Sequence, residues 1–174
     1  RTHHVWVDHC TFEEYPLILV DVKRGSNAVT LSWNRFENAQ SGILFGLEPD
    51  IFVDSAQTLT LHHNYFSNLE LRGVLARRGK IHAYNNFIYG VGDAGMECSD
   101  YAACYIEGNV YNNDVPVRGY RLKNEDGSPD ESTVGFVYMD SNTFGRSGEE
   151  LAGDAQGYKP DYKVSVDESG AGLA

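Results

Sequence analysis

Short runs in which every second residue is apolar recur along the chain. Val29-Thr-Leu-Ser-Trp-Asn34-Arg-Phe36 is echoed by Leu59-Thr-Leu-His-His-Asn64-Tyr-Phe66, by Ile81-His-Ala-Tyr-Asn-Asn86-Phe-Ile88 and by Cys104-Tyr-Ile-Glu-Gly-Asn109-Val-Tyr111. Weaker copies are Val5-Trp-Val-Asp-His-Cys10-Thr-Phe12 and Val137-Tyr-Met-Asp-Ser-Asn142-Thr-Phe144. A period of two reads as strand, and no stretch sustains a helical period. The fixed Asn or Cys positions, 10, 34, 64, 86, 109 and 142, are 24, 30, 22, 23 and 33 residues apart. A strand repeat of this length predicts an all-β parallel solenoid with one coil per copy.

Each copy carries its own packing instructions. Asn tolerates left-handed backbone angles, so it is expected at a sharp bend, and stacked Asn side chains can bond from coil to coil. The large residue two positions later (Phe12, Phe36, Phe66, Ile88, Tyr111, Phe144) is expected in the core. Leu17-Ile-Leu-Val20, Gly42-Ile-Leu-Phe45, Val74-Leu75 and Val115-Pro-Val117 read as the other strands of the coils. The coils are predicted over residues 1–145, with a polar loop at about 123–133. Residues 146–174 lose the pattern and are expected to pack on the solenoid or fray.

The chain opens on Arg1 and runs directly into a strand, which suggests an N-terminally truncated solenoid. A bare terminal coil needs a cap. That leads to the expectation of a homodimer through the Val5-Trp-Val7 coil, or of cover by the C-terminal tail.

Composition narrows the function. Among 174 residues, 14 are Lys or Arg and 25 are Asp or Glu, a net charge of −11. A general nucleic-acid binder needs the opposite sign. No apolar run approaches the roughly 18 residues of a membrane span, so no membrane partner is expected. Three cysteines, Cys10, Cys98 and Cys104, allow one bridge at most; Cys98 and Cys104 are close enough in sequence to pair, and free buried thiols are the alternative. No Cys/His spacing fits zinc. His9, His62, His63 and His82 lie in the strand repeats and read as stacking residues. Trp6 and Trp33 read as packing residues.

Basic residues cluster in Val20-Asp-Val-Lys-Arg-Gly25 and Leu71-Arg-Gly-Val-Leu-Ala-Arg-Arg-Gly79. Stacked coils are expected to bring Asp21, Lys23 and Arg24 onto rungs neighbouring those of Arg72, Arg77 and Arg78. A carboxylate beside several guanidinium groups can hold a divalent cation and an anionic sugar together. A solvated charged stripe is the competing reading.

These segments, together with Val5-Trp-Val-Asp-His9, Leu59-Thr-Leu-His-His-Asn-Tyr-Phe66 and Gly79-Lys-Ile-His-Ala-Tyr-Asn-Asn86, resemble the pectate lyase superfamily of extracellular polysaccharide lyases. The likeness covers roughly residues 5–113, with a weaker echo at Ser169-Gly-Ala-Gly-Leu173. It implies a secreted, right-handed single-stranded parallel β-helix that uses Ca2+ to cleave polygalacturonate by elimination. It also implies Arg72 as catalytic base, Arg77 and Lys23 as substrate-binding residues and Asp21 as a calcium ligand. A free guanidinium keeps its proton to above about 12, which makes Arg72 an unusual base.

The chain departs from the family's pattern at Leu17, where relatives carry an acidic calcium ligand, at Ser41, where they carry a substrate-binding Lys, and at Val74, where they have Pro. Weakened calcium binding follows, because hard cations need several oxygens. Glu13, Glu14, Glu48, Asp50 and Asp54 are candidate replacements, each read by default as a surface acid. Competing functions are a non-catalytic polyuronate-binding β-helix, which Leu17 and Ser41 favour, a pectin lyase on methylated substrate, which retained Asp21 disfavours, and a purely structural solenoid. A hydrolase needs paired carboxylates, and no Asp-Asp pair occurs.

Overall fold

The computed structural model describes residues 2–46, 52–112, 115–119, 124–128, 130, 133–145, 150–151 and 158–167. Its strands are β1 (His3–Asp8), β2 (Thr11–Val22), β3 (Asn27–Ser32), β4 (Arg35–Phe45), β5 (Thr58–His62), β6 (Tyr65–Arg77), β7 (Lys80–Tyr84) and β8 (Phe87–Val91). They continue as β9 (Ala94–Ser99), β10 (Ala103–Glu107), β11 (Val110–Tyr111), β12 (Val117–Arg118), β13 (Phe136–Asp140), β14 (Thr143–Phe144) and β15 (Glu150–Leu151). A 3-10 turn spans Phe52–Ala56.

Every strand pairs in parallel with its counterpart one coil away. The first sheet runs β1-β3-β5-β7-β10-β13. The second is forked: β2, β4 and β6 pair side by side, then β6 pairs with β8 through residues 65–69 and with β9 through residues 72–77. The fork splits this sheet into two faces, so the coil has three. The fold is a right-handed parallel β-helix. The corner within β2, β4 and β6 carries left-handed residues Glu14, Asn38 and Asn68, followed by Gly90 in the next coil.

The expected core residues do point inward. Phe12, Phe36 and Phe66 stack with ring centroids 5.2 and 4.8 Å apart, and Tyr111 stacks on Phe144 at 4.8 Å. Phe36, Phe66, Ile88 and Tyr111 are buried. Like packs on like because each coil repeats the last in register.

The Asn ladder forms, but the bend lies elsewhere. The left-handed residue is the one before each ladder position: His9, Trp33, His63, Asn85, Gly108 and Ser141. The ladder Asn is occupied otherwise. Asn64 Oδ1 accepts the Asn34 backbone N–H at 3.0 Å, while its Nδ2 donates to the Leu31 carbonyl at 2.8 Å and to Asn86 Oδ1 at 3.0 Å. Asn86 and Asn109 repeat the pattern, and Asn142 Oδ1 accepts from Asn109. A side chain committed to bonding the backbone of the preceding coil satisfies buried polar groups. The preceding residue makes the turn instead.

Cys98 and Cys104 are disulfide-bonded and buried, while Cys10 is free and exposed. Of the tail, residues 158–167 lie along the first sheet. Tyr162 Oη is 2.7 Å from Nδ1 of the buried His82, whose Nε2 is 2.7 Å from Glu107. Asn85 donates to the Ser165 carbonyl at 2.9 Å, and Asp167 is 3.2 Å from His63. At the other end β1 forms the edge of the sheet, with Trp6 70% exposed.

Candidate active site

The face formed by the second halves of β2, β4 and β6, then by β9, β12 and β15, carries the basic residues singled out in the sequence. Inward positions form apolar rows, such as Val20, Ile43, Val74, Met96 and Val117. One residue on, the outward row reads Asp21, Leu44, Leu75, Glu97, Arg118. Arg72 precedes that row. Its ladder partners are Ser41 on one side and Ala94 on the other.

Asp21 and Arg72 share this face but are not on neighbouring rungs. β4 lies between β2 and β6, and the β2 residue level with Arg72 is Ile18, three residues before Asp21. Strand geometry separates the two Cα atoms by about 10 Å across the coils and about 10 Å along them. The expectation of adjacency overlooked that each repeat contributes a full rung.

A bulge sets the position of Arg72. Between the Ala39–Leu69 and Ser41–Arg72 pairs, β4 has one residue where β6 has two, Glu70 and Leu71. Bulges bend a strand and re-aim its side chains. The next position is Gly73, in a column with Gly42 and Gly95. A Cβ on Gly42 would lie 2.6 Å from the Gly73 carbonyl oxygen, and one on Gly73 would lie 2.5 Å from that of Gly95. The coils approach closely beside Arg72 because these residues have no side chain.

Arg72 lies among carboxylates. Its Nε donates to Glu97 Oε2 at 2.8 Å and its Nη2 is 3.5 Å from Asp93. Arg118, two coils from Arg72, is 2.8 Å from Asp93 and 3.9 Å from Glu97. Glu97 is 1% exposed, and its second oxygen, Oε1, has no hydrogen-bond partner. Burial pushes its carboxyl above the ordinary carboxylate range, opposed first by the Arg72 bond and then by the charge of Arg118.

Arg77 lies at the far end of β6, with Nε 4.0 Å from Asp100. Lys23 follows Val22 as Arg77 follows Ala76, and Gly46, with φ of 81°, takes the equivalent place between them. Lys23 is ion-paired with Asp21. Leu17 is 54% exposed, and Ser41 is buried beside Arg72 in the ladder.

For calcium, Asp21 offers one carboxylate on the open face. Among the described residues, no group of three or more His, Cys, Asp or Glu is placed to hold a metal ion. Asp54 is buried at the 3-10 turn, where it accepts from the Gly25 backbone N–H and the Gln57 amide. Glu48 and Asp50 lie outside the described residues. Calcium takes six to eight oxygens. Asp21 by itself therefore offers only part of such a site.

The sequence reading did not single out Glu97, Asp93 or Arg118. A signal was present for Glu97, a lone charge inside the otherwise uncharged run Ala94-Gly-Met-Glu-Cys-Ser99. Asp93 and Arg118 carried none, because only the coil register brings them together. His9 and His63 stack on the two sides of Trp33, and His62 stacks on Tyr84, along the first sheet and its corner.

Comparison with known proteins agrees with this architecture. The pectate lyase family model matches residues 1–145. A pectate trisaccharide-lyase of Bacillus licheniformis is 30% identical over 174 residues, covering 94% of this chain and 48% of that protein. Its counterpart from Thermotoga maritima is 39% identical over 90 residues, covering 50% of this chain and 24% of that protein. Among solved structures, a pectate lyase from a Bacillus species in complex with trigalacturonate superposes with a TM-score of 0.77 at 25% identity, covering 98% of this chain and 56% of that one. This chain spans half or less of the length of these curated relatives. With the family model matched along most of its length and the parallel β-helix in place, the chain belongs to the pectate lyase family.

Proposed function

We propose that this chain carries the catalytic face of a secreted, calcium-dependent lyase that cleaves polygalacturonate by β-elimination. Arg72, in its neutral form, removes the C5 proton of a uronate. The C4–O bond breaks, a C4–C5 double bond forms, and the leaving oxygen takes up a proton. Arg77 and Lys23 grip uronate carboxylates and offset the charge that develops at the substrate. Asp21 would hold calcium, and the ion would supply charge withdrawal that makes the C5 proton more acidic. Because a guanidinium is neutral only at high pH, the reaction favours alkaline conditions.

The observation that carries this reading is that Asp21, Lys23, Arg72 and Arg77 lie on one face, the first two at the end of β2 and the other two on β6, with β4 between them. Charge balance there supports the need for a cation. Lys23, Arg72, Arg77 and Arg118 face Asp21, Glu97, Asp100 and Asp93 respectively. The face is therefore close to neutral, in a protein of charge −11. A polyanion is attracted only if positive charge is added locally, and a divalent ion held at Asp21 would add it. The named relatives and the trigalacturonate-bound structural neighbour support the substrate class. The disulfide fits an oxidising, extracellular location.

Leu17 and Ser41 favour a second reading, a polyuronate-binding β-helix without efficient catalysis. The test is ultraviolet absorbance of unsaturated product from polygalacturonate at alkaline pH, with calcium and with chelator. Calcium-dependent product that vanishes in Arg72→Ala supports the lyase; well-folded protein giving no product supports the binding module. The homodimer belongs with these proposals. Sedimentation of the protein reports it.

A further inference from the structure

Arg72 has a geometric problem that its neighbours solve. Its Cα is level with Ile18, Ser41 and Ala94, three residues before the outward row that begins with Asp21. The row continues through Leu44 and Leu75 to Glu97. Glu97 thus lies one coil beyond Arg72 and three residues further along. The 2.8 Å bond from Arg72 Nε to Glu97 Oε2 draws the guanidinium along the strand direction to the level of the row that Asp21 occupies, on the side of β6 away from β2. An unrestrained arginine at this site would have many rotamers, few of them pointing that way.

We infer that Glu97 is the positioning residue of the reaction: buried behind Arg72, it holds the guanidinium by Nε and aims it at the Asp21 row. This rests on the reading of Arg72 as base. Glu97 is 1% exposed, so it does not reach a substrate itself. Its bond is not the weak exposed ion pair of a protein surface. Its Oε2 bonds Arg72 at 2.8 Å, with Arg118 farther off at 3.9 Å, so losing Arg72 would cost the buried carboxylate its close partner. Use of Nε also keeps the terminal nitrogens out of this bond, with Nη2 3.5 Å from Asp93. Asp93 is less suited to the role, being 35% exposed, 3.5 Å from Arg72 and shared with Arg118 at 2.8 Å.

The test compares Glu97→Leu, Glu97→Gln and Arg72→Ala in the intact protein, with steady-state kinetics on polygalacturonate and a thermal melt of each. Leu removes the acceptor; Gln keeps an amide oxygen for Nε but loses the charge. Misplacement of a reacting group by about 1 Å costs about 100-fold. Glu97→Leu is therefore expected to lower kcat about 100-fold with KM within about threefold, and Glu97→Gln to recover about tenfold of the loss. If Glu97→Leu does not fold, Glu97→Gln carries the test through a kcat about tenfold below the parent at unchanged KM. The inference is overturned if folded Glu97 variants keep the parent kcat while Arg72→Ala is inactive, or if their loss only follows the unfolded fraction. An active Arg72→Ala would instead overturn the underlying assignment of the base.

Discussion

Replacing Asn64 by Ala removes one rung of the buried ladder and tests whether the ladder stabilises the coils. Asn64 is fully buried. Its loss takes the acceptor from the Asn34 backbone N–H, which lies 3.0 Å away, and the donor from the Leu31 carbonyl at 2.8 Å. Asn34 Nδ2 keeps the Val7 carbonyl, and Asn86 Oδ1 keeps the backbone N–H of residue 64. Two buried groups lose their partner. At about 1–3 kcal/mol each, the expected cost is about 2–6 kcal/mol, a large part of the typical total of about 5–15 kcal/mol. The corner pair Asn38 and Asn68 is an internal control, because its 2.7 Å bond is exposed; Asn38→Gly, which suits the left-handed backbone there, should cost no more than about 0.5 kcal/mol. Asn64→Asp should cost at least as much as Ala, since it sets an oxygen against the Leu31 carbonyl. Urea unfolding of the three variants measures these differences. Equal effects of Asn64→Ala and Asn38→Gly would refute the reasoning.

Three further outcomes are expected. Gly73→Ala sets a Cβ 2.5 Å from the Gly95 carbonyl oxygen, so it should destabilise by about 1–3 kcal/mol and, by shifting the neighbouring residue, lower kcat; an active, fully stable variant would show that the column is not needed. The Cys98–Cys104 bridge closes a short loop with a sequence separation of 6, and replacing both by Ala should cost about 2 kcal/mol, read as a lower urea midpoint. Burial holds His82 and His62 below the ordinary histidine range, with Glu107 pulling His82 back up and His63 lowering His62 further. The unfolded chain therefore binds protons first as pH falls below 6.5, and stability should drop from about pH 7 to about pH 5. His82→Gln should flatten that slope, and an unchanged slope would contradict it.

How much of this was legible depended on whether the signal lay within a single repeat. The period-two runs, the Asn positions and the apolar residue two places on were visible because each copy repeats the same local solution. The left-handed residue was misplaced by one, because Asn's tolerance of that conformation competes with its capacity to bond the preceding coil, and burial decides for bonding. The faces were readable, but the rung separation of Asp21 and Arg72 was not, since it depends on register and on the bulge at Glu70 and Leu71. Glu97 was legible only as an odd charge in an apolar run. Its partners Arg72 and Arg118 are 25 and 21 residues away in sequence and become neighbours through coil stacking.

The central claim is elimination on polygalacturonate, and the masses of the released fragments test it most directly. The intact protein with calcium should yield fragments whose new non-reducing ends are one water lighter than hydrolysis products, and chelator should abolish them. Fragments that carry the added water would contradict the account and point to a hydrolase on the same fold.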